Sequence, residues 1–431
     1  MRKSCVLILL GCLSAALPAT TRPTCDNGSS EIPYGTPPLL LDAFQWAWCE
    51  SVPVGVTRTA ATVTPDGNIH LVCGNTMLPE TSFAYQQVYV PGADSWYLDS
   101  LAHPAGSNRG VHNHDAKCLG NKIWVGGGSN VSGYYSNLTM IDLEAHTWTV
   151  IGPMPVTDMM YYEFCAGSDG NLYMFGDDVY SNAAYAFDTT ARTWATRATM
   201  PEGLANPAAA CVGDTIYLFG GETSTSVSAA TRAYSISGNT WTTKASAPTA
   251  RYWHTANVVS TDSGPMIYLC GGVDVSGNVL GTVERYSVLG NTWAAQSSLQ
   301  QIRRSQGGVT LGDSVFVIAG YKGSRPFVCS VERGYDPDMH TGVTGNGPGL
   351  GGQESGLRLA PNPCAEQTLV SLVGNRGAST SLTLYSTAGC AVKRVGLGGR
   401  RGQVVLPVSD LTPGVYWLRG DRIQSRLVVS R

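Results

Sequence analysis

The chain has 431 residues, enough for two domains that each bury a core. Charged residues are only 14% and glycines number 51, which points away from long surface helices and toward an all-β fold of short strands and tight turns. The net charge of -3 conceals an acidic body, with 15 Lys and Arg against 28 Asp and Glu over residues 24–356, and a basic tail, with 10 against 3 over residues 357–431; the acidic body argues against nucleic acid as a partner.

At the N-terminus Arg2 and Lys3 precede an apolar stretch from Cys5 to Leu17 and small residues near Ala19, the pattern of a secretory signal peptide over 1–19. A second reading stays open there, because Leu9-Leu10-Gly11-Cys12 resembles a bacterial lipobox that would make Cys12 a lipidated N-terminus. No later segment has the length of a transmembrane span, so the expected location is secreted or outer-membrane surface, by way of the periplasm. Residues 20–43 form an N-terminal segment without pattern. Ten cysteines remain after the signal, an even number that permits disulfides in an exported protein. Cys118, Cys165 and Cys211 precede turns in successive repeats, and Cys73 and Cys270 precede a repeat glycine, so these five read as small buried hydrophobes. Cys364 and Cys390 are the expected disulfide pair.

The body is periodic. YVPGADSW (89–96), IDLEAHTW (141–148), FDTTARTW (187–194), YSISGNTW (234–241) and YSVLGNTW (286–293) each set a large apolar residue seven positions before a Trp. A hairpin turn between them brings the two side chains together on adjacent strands. Upstream of each Trp a strand ends in glycine: Gly74, Gly126-Gly127, Gly176, Gly220-Gly221 and Gly271-Gly272. This double-glycine, Tyr, Trp spacing resembles the Kelch repeat over residues 46–340. The resemblance implies a six-bladed β-propeller over 44–341 whose aromatics and glycines are architecture. The sixth unit has Gly320 and Tyr335 but Gly342 at its Trp position. Trp48 lies ten residues before Arg58, as Trp241 does before Arg251 and Trp293 before Arg303. Residues 44–53 are therefore expected to close blade six, with Trp48 as the missing Trp.

Residues 342–356 (GVTGNGPGLGGQESG) are a Gly-rich linker. Five short alternating strands follow in 357–431, the pattern of a small immunoglobulin-like sandwich. Pro361-Asn362-Pro363, the run Leu384 to Gly389, the run Leu411 to Tyr416 and a strand ending at Arg431 resemble, in order, the C-terminal sorting domain of the type IX secretion system. That resemblance implies the secretion machinery as a partner and export across an outer membrane, followed by release or attachment to surface lipopolysaccharide. A generic accessory sandwich is the alternative.

Catalytic motifs are few. His112-Asn113-His114-Asp115 could begin a metal site but lacks a third spaced ligand, and Asp66-Gly67-Asn68 and Asp169-Gly170-Asn171 read as hairpin turns rather than calcium loops. Asn27, Asn130 and Asn137 lie in glycosylation sequons, which carry little meaning in a bacterial host. No cofactor or metal is implied. Two functions remain, a surface propeller that binds a glycan or a protein, and a carbohydrate-active enzyme such as a sialic-acid mutarotase; the copper ligands of a galactose oxidase cannot be assembled. Strand parity places the loops 75–85, 128–136, 222–230 and 273–281 on one face with the starts of the first strands. The ligand-binding candidates are accordingly Arg58, Arg109, His112, Tyr161, Arg251, Trp253, His254 and Arg303, with Asp158 beside Tyr161. The arginines would take a carboxylate such as an acidic sugar, or would pin the crossover loops through neighbouring carboxylates.

Overall fold

A computed structural model describes residues 44–335 apart from 77–81, 106–109, 158, 262 and 325–326, together with the strands and a few flanking residues of 356–429. The signal and lipobox readings, the segment 20–43, almost all of the linker, the Pro-Asn-Pro landmark and the pair Cys364 and Cys390 lie outside the described residues.

Six four-stranded antiparallel sheets follow one another. Blade one is Ala60–Val63, Ile69–Val72, Gln86–Val90 and Ser95–Asp99; blade two is Asp115–Leu119, Lys122–Gly126, Asn137–Asp142 and Thr147–Pro153. Blade three is Glu163–Ala166, Leu172–Phe175, Ala184–Asp188 and Thr193–Thr196; blade four is Ala208–Val212, Thr215–Phe219, Thr231–Ser235 and Thr240–Lys244. Blade five is Thr255–Thr261, Gly264–Cys270, Val283–Ser287 and Thr292–Gln296. Blade six takes Gly307–Leu311, Ser314–Ile318 and Val331–Tyr335 from one end of the body, and its outer strand, Gln45–Cys49, from the other. All six sheets thus have their fourth strand, and the ring has no open seam.

In five blades the periodic large apolar residue faces its Trp directly across the outer hairpin: Tyr89 and Trp96, Ile141 and Trp148, Phe187 and Trp194, Tyr234 and Trp241, Tyr286 and Trp293. Four of these five indoles then reach between blades, while Trp148 Nε1 donates to Thr139 Oγ1 of its own blade at 3.0 Å. Trp96 Nε1 donates to Glu50 O at 2.8 Å, Trp241 to Ala198 O at 2.9 Å and Trp293 to Ala245 O at 2.8 Å, so each Trp closes hydrophobic contact and hydrogen bond together.

Blade six corrects the expected register. Gly334 occupies the aromatic position, and the residue across from it is Trp46, not Trp48. Trp46 makes the repeat's inter-blade bond, to Ser297 O at 2.9 Å. Trp46 and Trp48 share strand parity, so alternation cannot tell them apart. The count to Arg58 from Trp46 is two residues longer than from Trp48, which moves Arg58 out of register with Arg251 and Arg303.

The repeat glycines bind the blades to one another. The N–H of Gly74 donates to Val111 O, Gly128 to Met159 O, Asp177 to Leu204 O, Gly221 to Arg251 O, Gly272 to Arg303 O and Gly320 to Val56 O, all between 2.9 and 3.1 Å. Each bond joins the end of one blade's second strand to the crossover entering the next. Gly272 shows why a side chain is excluded: its φ is +99°, and a Cβ would stand 2.7 Å from Tyr252 O.

In the C-terminal region the described strands form a three-stranded sheet of Gly356–Ala360, Gln367–Val373 and Gln403–Pro407, and a four-stranded sheet in the order Ala391–Gly396, Ser381–Ser386, Gly414–Arg419, Gln424–Val429.

Candidate functional site: the mouth of the propeller

The residue entering each first strand is held in the left-handed region. Arg58, Asn113, Tyr161, Asn206, Trp253 and Ser305 have φ between 52° and 63°, one in every blade. None is glycine, so each position is strained and needs support from its neighbours. The support is a collar of backbone hydrogen bonds around the axis. Asn113 N–H donates to Arg58 O at 3.1 Å, Asn206 to Tyr161 O at 2.6 Å, Trp253 to Asn206 O at 3.3 Å and Ser305 to Trp253 O at 3.0 Å. Arg58 N–H donates to Ser305 O at 2.9 Å, joining the two ends of the body. All six collar side chains line an axial cavity of about 340 Å³.

The sequence-derived candidates divide around this collar. Arg58, Tyr161 and Trp253 belong to it, half-buried, and the rings of Tyr161 and Trp253 meet edge to face with centroids 6.2 Å apart. His112 stands one residue outside, its ring between Ser82 Oγ at 2.8 Å and Ser129 Oγ at 3.3 Å. Arg109 and Asp158 lie outside the described residues.

Arg251 and Arg303 are corrections: both are 0% exposed, two residues before the collar. Arg251 Nη1 donates to Gly271 O at 2.9 Å and its Nη2 meets Glu284 at 3.1 Å. Arg303 donates to Ala319 O, Ser330 O and Glu332 Oε1, the last at 2.6 Å with both charges fully buried. These guanidiniums pin the crossovers through the carboxylates of the third strands and have no surface for a ligand. His254, too, is a wedge. It is 6% exposed, with its ring against Gly220, and burial followed by the nearby Arg251 charge holds it well below the usual histidine range, hence neutral.

The pair of histidines around Asn113 is likewise split by that residue's φ of 56°. His114 turns inward, its Nε2 at 3.0 Å from Val72 O, while His112 faces the serines. Among the described residues no group of three His, Cys, Asp or Glu is placed to hold a metal.

Sequence reasoning missed Arg304. Its guanidinium lies 4.2 Å from the Trp253 ring centroid and 4.9 Å from that of Tyr321. Desolvation, and then the neighbouring Arg58, lower its pKa. Two cations therefore stand close together at the mouth, and among the described residues neither has a carboxylate within salt-bridge distance. Asn113, Asn206 and Ser305 were also missed, although a count of twelve from Trp46, Trp194, Trp241 and Trp293 reaches Arg58, Asn206, Trp253 and Ser305. The surrounding loops carry exposed apolar side chains, Val131 at 66%, Val179 at 74% and Val275 at 67%.

On the cavity wall below the collar, Lys117 Nζ meets Asp115 at 2.9 Å and Glu163 at 3.6 Å. Burial and the Asp115 charge push the Glu163 carboxyl up, against the opposing pull of Lys117.

Six sheets, a backbone bond from each to the next that a glycine donates in five of them, and inter-blade indoles define a six-bladed β-propeller of Kelch repeats, a rigid ring with its variable loops gathered on one face. Residues 113–320 match the KLHDC2/KLHL20/DRC7 Kelch-repeats domain. The chain is similar to Kelch-like protein 23 of Homo sapiens, 26% identical over 243 residues, which is 54% of this chain and 41% of the relative. It is similar also to the Rab9 effector protein with kelch motifs of Homo sapiens, 27% identical over 155 residues, covering 33% of this chain and 38% of that one. An F-box/kelch-repeat protein of Arabidopsis thaliana is 30% identical over 139 residues, 31% of each chain. The matched part thus spans about two fifths or less of these curated relatives.

Proposed function

We propose that the propeller is a binding module that takes a carboxylate-bearing segment of a partner protein at its mouth. The observation that carries this is Arg304, fixed between Trp253 and Tyr321 and near enough to Arg58 to feel its charge, with the neighbouring Glu222 carboxylate beyond salt-bridge distance. A guanidinium fixed by stacking is pre-organised to bind a carboxylate in two parallel hydrogen bonds. The exposed apolar loop residues around it suit a protein surface, and Kelch relatives include one whose name calls it a Rab9 effector. An acidic glycan is the second reading, favoured by the Tyr161 and Trp253 rings beside the arginines.

The test is binding of the purified chain to arrays of acidic peptides and of acidic glycans, with Arg58→Ala and Arg304→Ala beside the unaltered protein. A peptide hit weakened at least about tenfold by either substitution, with the variant still folded at the assay temperature, is the expected result. Hits confined to sialylated or uronic glycans would replace the partner class, and affinity indifferent to both arginines would move the site. Anomeric exchange of a bound sugar would reinstate the enzyme reading.

We further propose that residues 1–19 direct export and that residues 357–431 are a type IX sorting domain of immunoglobulin-like form, delivering the propeller to the outer-membrane surface or beyond. What supports this is the family order of the Leu384 to Gly389 and Leu411 to Tyr416 runs, together with the opposite charges of tail and body.

A further inference from the structure

Cysteines on neighbouring first strands should point the same way if they occupy equivalent positions, and Cys118 and Cys211 do, pairing with Ile123 and Ile216 in the second strands of blades two and four. Cys165 breaks the pattern. It faces Tyr173, four residues after collar residue Tyr161, whereas Cys118 and Cys211 come five after Asn113 and Asn206. One step along a strand reverses the side chain. Cys165 of blade three is thereby turned toward Cys211 of blade four, both pack in one inter-blade cluster, and each side chain is near enough to shift the other's ionisation. The two are not distant, as equivalent positions would be. They differ in access: Cys165 is buried and Cys211 half-exposed, near the Gly213 turn on the face opposite the mouth.

We propose that Cys165 and Cys211 are a redox-active dithiol pair that closes into a disulfide stapling blade three to blade four. Their contact supplies the chemistry. The neighbouring Cys165 lowers the Cys211 pKa, which favours Cys211 as the attacking thiolate, whereas Cys211 and burial hold the Cys165 thiol well above its usual range, the Lys117 ammonium offsetting part of this and the Glu163 carboxylate adding to it. With a small disulfide such as glutathione disulfide as oxidant, the Cys211 thiolate attacks one sulfur, the S–S bond breaks, and one glutathione thiolate leaves. The Cys165 thiolate then attacks the Cys211 sulfur and expels the second glutathione. Two cysteine protons pass to the two released thiolates, so the protein is oxidised by two electrons and the oxidant reduced by two. Neither sulfur belongs to the collar, so the staple fixes the ring without entering the ligand site. Cys329 is disulfide-bonded, so the chain already holds a disulfide.

The experiment equilibrates the full chain with glutathione redox buffers, alkylates the remaining thiols and maps linked peptides by mass spectrometry. The expected result is a peptide pair joined through Cys165 and Cys211, with a melting temperature raised by roughly 3–8 °C on oxidation. Cys211→Ser and Cys165→Ala should each abolish that rise, while Cys118→Ser leaves it. Because the linkage is mapped in the unaltered protein, a poorly folding variant does not decide the outcome. Quantitative alkylation of both thiols under oxidising buffer, or their capture only as glutathione adducts or in pairs with other cysteines, overturns the proposal.

Discussion

The ring of Phe44 lies over the α-carbon of Gly334, in space that a side chain at position 334 would enter, and stacks on Tyr268 at 5.1 Å between centroids. Blade six has lost the aromatic that its third strand should carry. The strand that closes it, Gln45–Cys49, follows directly on a ring that fills the gap, with Trp46 edge to face against it at 5.0 Å.

This pairing makes Trp46 and Trp48 separable by experiment. Trp46→Ala should cost roughly 2–4 kcal/mol, through lost packing and an empty cavity beside Phe44, whereas Trp48→Ala should cost less than about 1 kcal/mol. Urea titrations of the two variants measure the difference, and equal losses would return the closing position to Trp48.

The crossover pins predict a different signature from the mouth. Removing one member of the buried Arg303 and Glu332 pair leaves an uncompensated charge, so Glu332→Ala should lower stability by about 3–5 kcal/mol, while Arg303→Met with Glu332→Leu should recover most of it. Arg58→Ala and Arg304→Ala should each lower stability by no more than about 1–2 kcal/mol, the larger loss at Arg304 for its two ring contacts, and act chiefly on binding. A stable Glu332→Ala would mean that the buried pair is dispensable.

Buried neutral histidines should make the ring lose stability as the pH falls below 6.5. Burial holds His103 and His114 at a pKa of about 3, and His114 is lowered further by the positive charges around it, against 6.5 for a free histidine. Below pH 6.5 the unfolded chain binds protons that the folded chain refuses. The stability these neutral rings allow is therefore fully present above about pH 6.5 and lost as pH falls toward 3, by up to roughly 1.4 kcal/mol per unit for each ring. His103, packed edge to face on Tyr135 and Trp148, is the ring to replace: His103→Phe should flatten the dependence between pH 6.5 and 4.5. An unchanged slope in urea midpoints would show that His103 is not responsible.

If residues 357–431 are a sorting domain, a chain ending at Gly356 should keep the propeller's melting temperature within about 2 °C and accumulate in the periplasm of a type IX-competent host. Fractionation and melting of the truncated chain read both quantities. Undiminished export would remove the sorting assignment.

Much of this protein was legible in its sequence because the repeat is local. A Trp seven residues after a large apolar residue, with a hairpin turn between them, forces those side chains together whatever surrounds them, and five such units with their glycines specify the blades. The choice between Trp46 and Trp48 was not local: both have the same parity, and only pairing with Gly334, nearly 290 residues away, sets the register. That two-residue slip carried into the site, aligning Arg58 with Arg251 and Arg303 although one lies at the mouth and the others are buried pins. Arg304, one position further, was passed over because strand alternation does not extend to a side chain just before a left-handed residue, here Ser305. Whether two cysteines are distant or touching was equally a tertiary matter, decided by a one-residue offset between first strands that only the closed ring brings side by side.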